Sequence, residues 1–125
     1  MPINNNSDVA EAGGTHWSLL VYHRTNNTYY HLDSWNEHNR HHAHFTANQM
    51  EKVLNAPERP NFESIEVPPQ HNGYDCGMYV MCFSELLCHQ YLSNSKVDLS
   101  SVTPEFVAEK RQKIYDQILH LREIM

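Results

Sequence analysis

The segment Pro68-Pro69-Gln70-His71-Asn72-Gly73-Tyr74-Asp75-Cys76-Gly77-Met78-Tyr79-Val80 constrains this chain most, because its character changes at a single point. Prolines and a glycine hold the first half in a loop. An apolar-periodic run through Met81, Phe83, Leu86 and Leu87 to Tyr91 then predicts a helix that starts beside Asp75. Asp75 suits the N-cap of that helix, which sets Cys76 in its first turn. Free backbone N–H groups and the positive end of the helix dipole favour a thiolate there. Gln70, in the same loop, carries a side-chain amide able to reach an oxyanion beside the sulfur. A cysteine placed this way reads as a nucleophile.

A nucleophile needs a base, and the base needs an orienting group. Two hydrophobic runs upstream supply both. Trp17-Ser18-Leu19-Leu20-Val21-Tyr22 is led by His16, and Tyr29-Tyr30-His31-Leu32 is closed by Asp33. Arg24-Thr25-Asn26-Asn27 reads as the turn of a hairpin between strands at about 16–22 and 28–33. Antiparallel pairing brings the start of the first strand beside the end of the second, so His16 and Asp33 can touch. The order along the chain is therefore His, Asp, Cys, with Gln shortly before the Cys.

Gly13-Gly14-Thr15-His16-Trp17-Ser18-Leu19, then His31-Leu32-Asp33-Ser34, then Gln70 to Val80 resemble the Ulp-type cysteine proteases, the sentrin/SUMO-specific protease family. The wording of these motifs, with Pro2-Ile3-Asn4-Asn5, is closest to the deneddylase branch, which acts on the Nedd-type modifier. The resemblance covers essentially the whole chain and tails off after about Leu92. It implies an α+β fold, papain-like in the Ulp arrangement, with a small antiparallel sheet packed on the helix that carries the nucleophile. Papain itself runs Cys first and His later; the permuted order here is that of the Ulp family. Transglutaminase-like folds, which also place Cys first, are disfavoured.

The resemblance implies a function as well. Cys76, His16 and Asp33 form a triad that removes a ubiquitin-like modifier after its C-terminal Gly-Gly, with Gln70 in the oxyanion hole. Trp17 becomes a wall flanking the narrow substrate tail, and Asn5 (or Asn4) a substrate-side contact, where a turn-forming asparagine is the plainer reading. No metal or cofactor is needed. The expected partners are a Nedd-type modifier, ahead of SUMO, and its conjugates. The family's catalytic domain is longer, so residues 1–125 are read as a single, N-terminally incomplete domain. A truncated module that binds a ubiquitin-like protein without turnover is the alternative.

Bulk properties narrow the field further. A chain of 125 residues makes one domain at most. A net charge of −6 argues against a nucleic-acid partner and permits a basic protein partner. No apolar run approaches the ~20 residues of a membrane span, and the polar N-terminus lacks an apolar signal region. Cys76, Cys82 and Cys88 recur at six-residue steps, about 600° of helix rotation, so they diverge and cannot share a metal or pair. The odd count points to a reducing intracellular compartment, cytoplasmic or nuclear. Cys82 and Cys88 read as small buried hydrophobes.

The remaining segments read simply. His38, His41, His42 and His44 crowd one stretch; a zinc site is conceivable, but no Cys or carboxylate stands at ligand spacing, and a solvated loop is preferred. Phe45, Met50, Val53 and Leu54 suit a short helix within 43–56, stopped by Pro57 and Pro60. Phe62 to Val67 makes a third strand leading to the Gln70 loop. Thr103-Pro104-Glu105 opens a last helix whose buried face is Phe106, Val107, Ile114, Ile118 and Leu121. Both hairpin strands are apolar on two faces, and only the Cys76 helix is an obvious cover. The other face is expected to lie bare, leaving the isolated chain marginally stable.

Overall fold

A computed structural model describes residues 1–8 and 10–125. The elements in chain order are β1 (Pro2–Asn4), β2 (Trp17–His23), β3 (Thr28–Leu32), α1 (Arg40–Leu54), β4 (Asn61–Ile65), α2 (Cys76–Ser93) and α3 (Pro104–Ile124). A 3-10 turn at Leu99–Ser101 links the last two helices. The strands form one four-stranded sheet in the order β1-β2-β3-β4.

The hairpin forms where the sequence predicts it. Asn27 takes the left-handed conformation, with φ of 48°, and its N–H donates to the Arg24 carbonyl at 3.1 Å. Leu19 then pairs with Leu32, and His23 with Thr28. One pairing corrects the expected all-antiparallel sheet: β4 lies parallel to β3, Thr28 against Asn61 and Leu32 against Ile65. The reason is α1. A helix between two strands carries the chain back to the starting end of the sheet, and a strand added after such a crossover runs parallel.

That helix also removes the bare face expected of the hairpin. Side chains alternate across a strand, so β2 and β3 feed two cores. Leu19 and Leu32 join Met78, Tyr79, Cys82, Phe83, Val102 and Val107 on the side of α2 and the start of α3. Leu20 and Tyr29 join Ile3, Ala43 and Ala47 on the side of α1. The sheet is the middle of three layers. Ala43 and Ala47, both buried, bring the α1 backbone close to the sheet, and Met50, Leu54 and Phe62 fill the flanks.

α1 starts at Arg40, so the His-rich stretch expected as a solvated loop is helical from that residue on. His44 stacks on Phe62 with ring centroids 3.6 Å apart, which holds that turn against β4. Asn55, in the left-handed conformation, ends the helix just ahead of Pro57. Among the described residues no group of three or more His, Cys, Asp or Glu side chains is gathered as a metal site would require.

Two burial expectations are corrected. Cys82 is buried as predicted, and burial pushes its thiol pKa up, but Cys88 is exposed because it falls on the outer side of α2. In α3, Thr103 caps the start by accepting the Phe106 N–H at 3.2 Å, and Val107 is buried. Ile118 and Leu121, expected inside, are exposed, because the helix runs on past the part of α2 that it packs against. No helix among the described residues is long and apolar enough to cross a membrane.

Candidate active site

His16 precedes β2 by one residue, and Asp33 follows β3 by one. The antiparallel register carries both to the same corner of the sheet. There His16 Nε2 donates to Asp33 Oδ1 at 2.5 Å, with both side chains out of contact with solvent. The second ring nitrogen, Nδ1, is buried and makes no hydrogen bond among the described residues. Trp35 and His38 enclose the imidazole edge-on, at centroid distances of 5.2 and 5.5 Å, and stack on each other at 4.8 Å.

Asp33 is held on both oxygens. Oδ1 also accepts the Trp35 N–H at 2.9 Å, and Oδ2 accepts the Asn39 N–H at 2.8 Å. Burial pushes its carboxyl pKa up, but hydrogen bonds from His16, Asn39 and Trp35 outweigh this and hold it below the ordinary value. Next to it lies a second imidazole that sequence reading passed over as strand filler. His31 Nε2 is 2.8 Å from Ser18 Oγ and 3.9 Å from Asp33 Oδ2. Burial lowers its pKa despite the nearby carboxylate, so at neutral pH it is uncharged.

Cys76 is the first residue of α2, as the loop-to-helix transition predicts, and it is buried. The cap is different from the expected one. Asp75 makes no side-chain capping bond. Its carboxylate accepts from Arg111 of α3 through Oδ1 and from Asn72 Nδ2, at 2.8 Å, through Oδ2. Burial raises the Asp75 pKa, but these two partners overcome it and the net shift is downward. A guanidinium that arrives from a distant helix competes better for the carboxylate than a backbone N–H does. The first-turn N–H groups of α2 therefore keep no side-chain acceptor, which favours an anion at this end.

Gln70 is fastened to the same corner. Its N–H donates to the Ser34 carbonyl at 2.8 Å, and Ser34 Oγ donates to Gln70 Oε1 at 2.6 Å. Gln70 Nε2 donates to the Asn72 carbonyl at 2.7 Å, which uses one of the two hydrogens on that nitrogen. Ser34 adjoins Asp33, so the Gln70 loop and the His16–Asp33 pair are one unit. Trp17 is 44% exposed and lines a surface depression with Pro2, Gly77 and Val80, which puts the indole against the first turns of α2. Asn5 turns inward: Oδ1 accepts the Thr15 N–H at 2.7 Å and the His16 N–H at 3.3 Å, and Nδ2 donates to Thr15 Oγ1 at 2.8 Å.

Comparison with known proteins identifies the family. Residues 1–123 match the Ulp1 protease family, C-terminal catalytic domain. The chain belongs to the Ulp1 protease family. The match reaches well beyond Leu92, so α3 is part of the family's domain. Human sentrin-specific protease 8 is 40% identical over 123 residues, 97% of this chain and 58% of that protein. NEDD8-specific protease 1 of Arabidopsis thaliana is 32% identical over 124 residues, 98% of this chain and 54% of the relative. The Schizosaccharomyces pombe protein of the same name is 29% identical over 118 residues, 90% of this chain and 28% of its own length. The chain thus spans a little over half the length of the first two relatives. Membership in the Ulp1 family carries the α+β fold and a cysteine-protease lineage.

Several residues of this corner escaped sequence reading. Arg111, Ser34 and Asn39 join the site only through tertiary contacts, whereas Asn72 reaches Asp75 within the same loop, three residues along the chain. Nothing local marks Arg111. Asn39 looks like one more polar residue in a His- and Asn-rich stretch, and its single local signal is its place just ahead of the Arg40 helix.

Proposed function

We propose that this chain is a thiol (iso)peptidase that releases a ubiquitin-like modifier, the Nedd-type protein ahead of SUMO, after its C-terminal Gly-Gly. The observation that carries the reading is the buried His16–Asp33 pair, 2.5 Å apart, taken with the depression that Trp17, next to His16, shares with Gly77, next to Cys76. Asp33 fixes the imidazole with Nε2–H toward itself, which leaves Nδ1 as the nitrogen that accepts the thiol proton.

The sulfur then attacks the glycine carbonyl carbon, and the carbonyl π pair moves to oxygen. The Cys76 N–H, together with the second Nε2 hydrogen of Gln70, stabilises that oxyanion, each such donor being worth about 3 kcal/mol. Collapse expels the amine, which takes its proton from the His16 imidazolium. Water attacks the resulting thioester as His16 takes one of its protons, and the C–S bond breaks. The expelled thiolate regains that proton from His16, and the released glycine carboxylic acid gives its own proton to solvent.

Trp17 forms one wall of the tail channel. A Cβ at Gly77 would meet nothing within 4 Å, so the glycine leaves open space beside the indole where a Gly-Gly tail fits. Asn5 contributes to substrate binding through the loop it braces. The names of the relatives support a modifier substrate, since two are called NEDD8-specific. The free cysteines suit a reducing intracellular compartment, cytoplasmic or nuclear.

The test is turnover of a fluorogenic Nedd-type conjugate beside a SUMO conjugate. Wild type is expected to cleave the first in preference, and Cys76→Ala to bind it without cleavage. Equal rates in wild type and Cys76→Ala defeat the reading. Specific binding by both proteins with no turnover by either leaves a binding module. A SUMO preference moves the chain to the other branch of the family.

A further inference from the structure

We infer that Asn39 is the positioning residue of this site, holding the His16 backbone and the Asp33 carboxylate in register at once; the inference rests on the peptidase reading above. The need for such a residue follows from the ladder. Pairing of β1 with β2 ends at Asn4 and Trp17, and β3 ends at Leu32, so neither His16 nor Asp33 lies within a strand. Both sit one residue past the regular hydrogen bonds, where a hairpin end frays.

Asn39 reaches both. Its backbone N–H donates to Asp33 Oδ2 at 2.8 Å, and its Nδ2 donates to the His16 carbonyl at 3.1 Å and the Ile3 carbonyl at 3.0 Å. The residue is wholly buried. Two acceptors demand both hydrogens of Nδ2, and Oδ1 has no partner, so a flipped amide would set oxygen against two carbonyl oxygens. The orientation is therefore fixed by chemistry as well as by packing.

Two further asparagines complete the hold on His16. Asn4 Nδ2 donates to the same carbonyl at 3.3 Å, and Asn5 Oδ1 accepts the His16 N–H. The loop is shaped around Asn4: Gly14 has φ of 91°, and a Cβ there would collide with the Asn4 amide. With the peptide held on both sides, χ1 and χ2 of His16 are the freedoms left, and the Asp33 bond settles the ring.

A misplacement of roughly 1 Å in a catalytic group costs about 10²-fold in rate. In a Cys88→Ser background, which removes the exposed thiol, Asn39→Ala is expected to lower kcat roughly 10- to 100-fold with KM little changed. The rate of Cys76 alkylation by iodoacetamide, corrected for the folded fraction, should fall with it and approach that of His16→Ala. Asn4→Ala, which removes only the outer amide, should give a smaller loss of the same kind and serves where Asn39→Ala does not fold. Losses that merely track the unfolded fraction, with alkylation per folded molecule unchanged, overturn the inference. Alkylation of wild-type Cys76 that is indifferent to His16 overturns it too. A wild-type chain with His16-dependent alkylation and no cleavage defeats the peptidase reading, while a drop in alkylation on Asn39→Ala still upholds the positioning role.

Discussion

At Gly77 the helix's stability and the proposed function pull in opposite directions. Glycine within a helix costs about 0.5–1 kcal/mol relative to alanine, and an added Cβ here meets open space. Gly77→Ala should therefore raise the unfolding free energy by a few tenths to about 1 kcal/mol. On the proposed function it should also raise KM for a modifier conjugate several-fold, since the methyl enters the space beside Trp17. Thermal unfolding and steady-state kinetics on the same preparation check both. A variant that is more stable with unaltered kinetics would show that the tail passes elsewhere.

The buried ionisable groups give a pH profile whose sign can be worked out. His31 has a lowered pKa, so its neutral form is the native one; its contribution is complete above the ordinary value near 6.5 and is lost as pH falls below it. Asp33 and Asp75 are also lowered, so their contributions are complete above the ordinary 3.8 and are lost as pH falls through the lowered values. Stability should decline in two stages on acidification, His31 first and the carboxylates after. Urea unfolding from pH 7.5 to 3 measures this. His31→Gln should shrink the upper stage, to which His44, its pKa also lowered by burial, adds the remainder; a profile that rises between pH 7 and 5 would contradict the assignment.

At the scale of elements, α1 decides the architecture. It carries the chain across the sheet, makes β4 parallel, covers the second face of the hairpin and has Asn39 at its N-cap position. Its fit depends on small side chains, with Ala43 wholly buried against the cluster of Leu20 and Tyr29. Ala43→Leu inserts methylenes where helix and sheet are closest and should cost about 1–3 kcal/mol. Because Asn39 opens the same helix, the variant should lose activity per folded molecule as well. Denaturant unfolding with kinetics at matched folded fraction tests the coupling. Unchanged specific activity would show that α1 can shift without moving the site.

For the molecule as a whole, exposed apolar side chains gather on the far part of α3, as well as singly elsewhere. Tyr115, Ile118, Leu121 and Ile124 are all more than half exposed on one helix, beyond the part packed on α2. They spread over about half the circumference of the helix, and exposed apolar side chains in this number favour association. Ile118→Lys with Leu121→Gln should leave the unfolding transition nearly unchanged and shift sedimentation toward monomer at high concentration. A wild-type chain that is already monomeric throughout would remove the need for a partner on this face. The marginal stability expected from a bare sheet face loses its reason, since α1 supplies that cover.

The sequence by itself determined what is local or periodic. The Pro- and Gly-rich loop running into an apolar helix located Cys76, because backbone preferences act over a few residues. The hairpin brought His16 to Asp33, because antiparallel pairing has only one geometry once its turn is known. Three motifs in order identified the family. Tertiary structure alone decided the rest. Asp75 left its helix for Arg111, thirty-six residues away, because a charged partner outbids a backbone donor. Cys88, Ile118 and Leu121 came out exposed, because hydropathy states what a residue prefers and not which neighbours arrive to cover it. Asn39 gained its role because a side-chain amide can join carbonyls that lie far apart in sequence, and nothing in its own stretch records which ones they are.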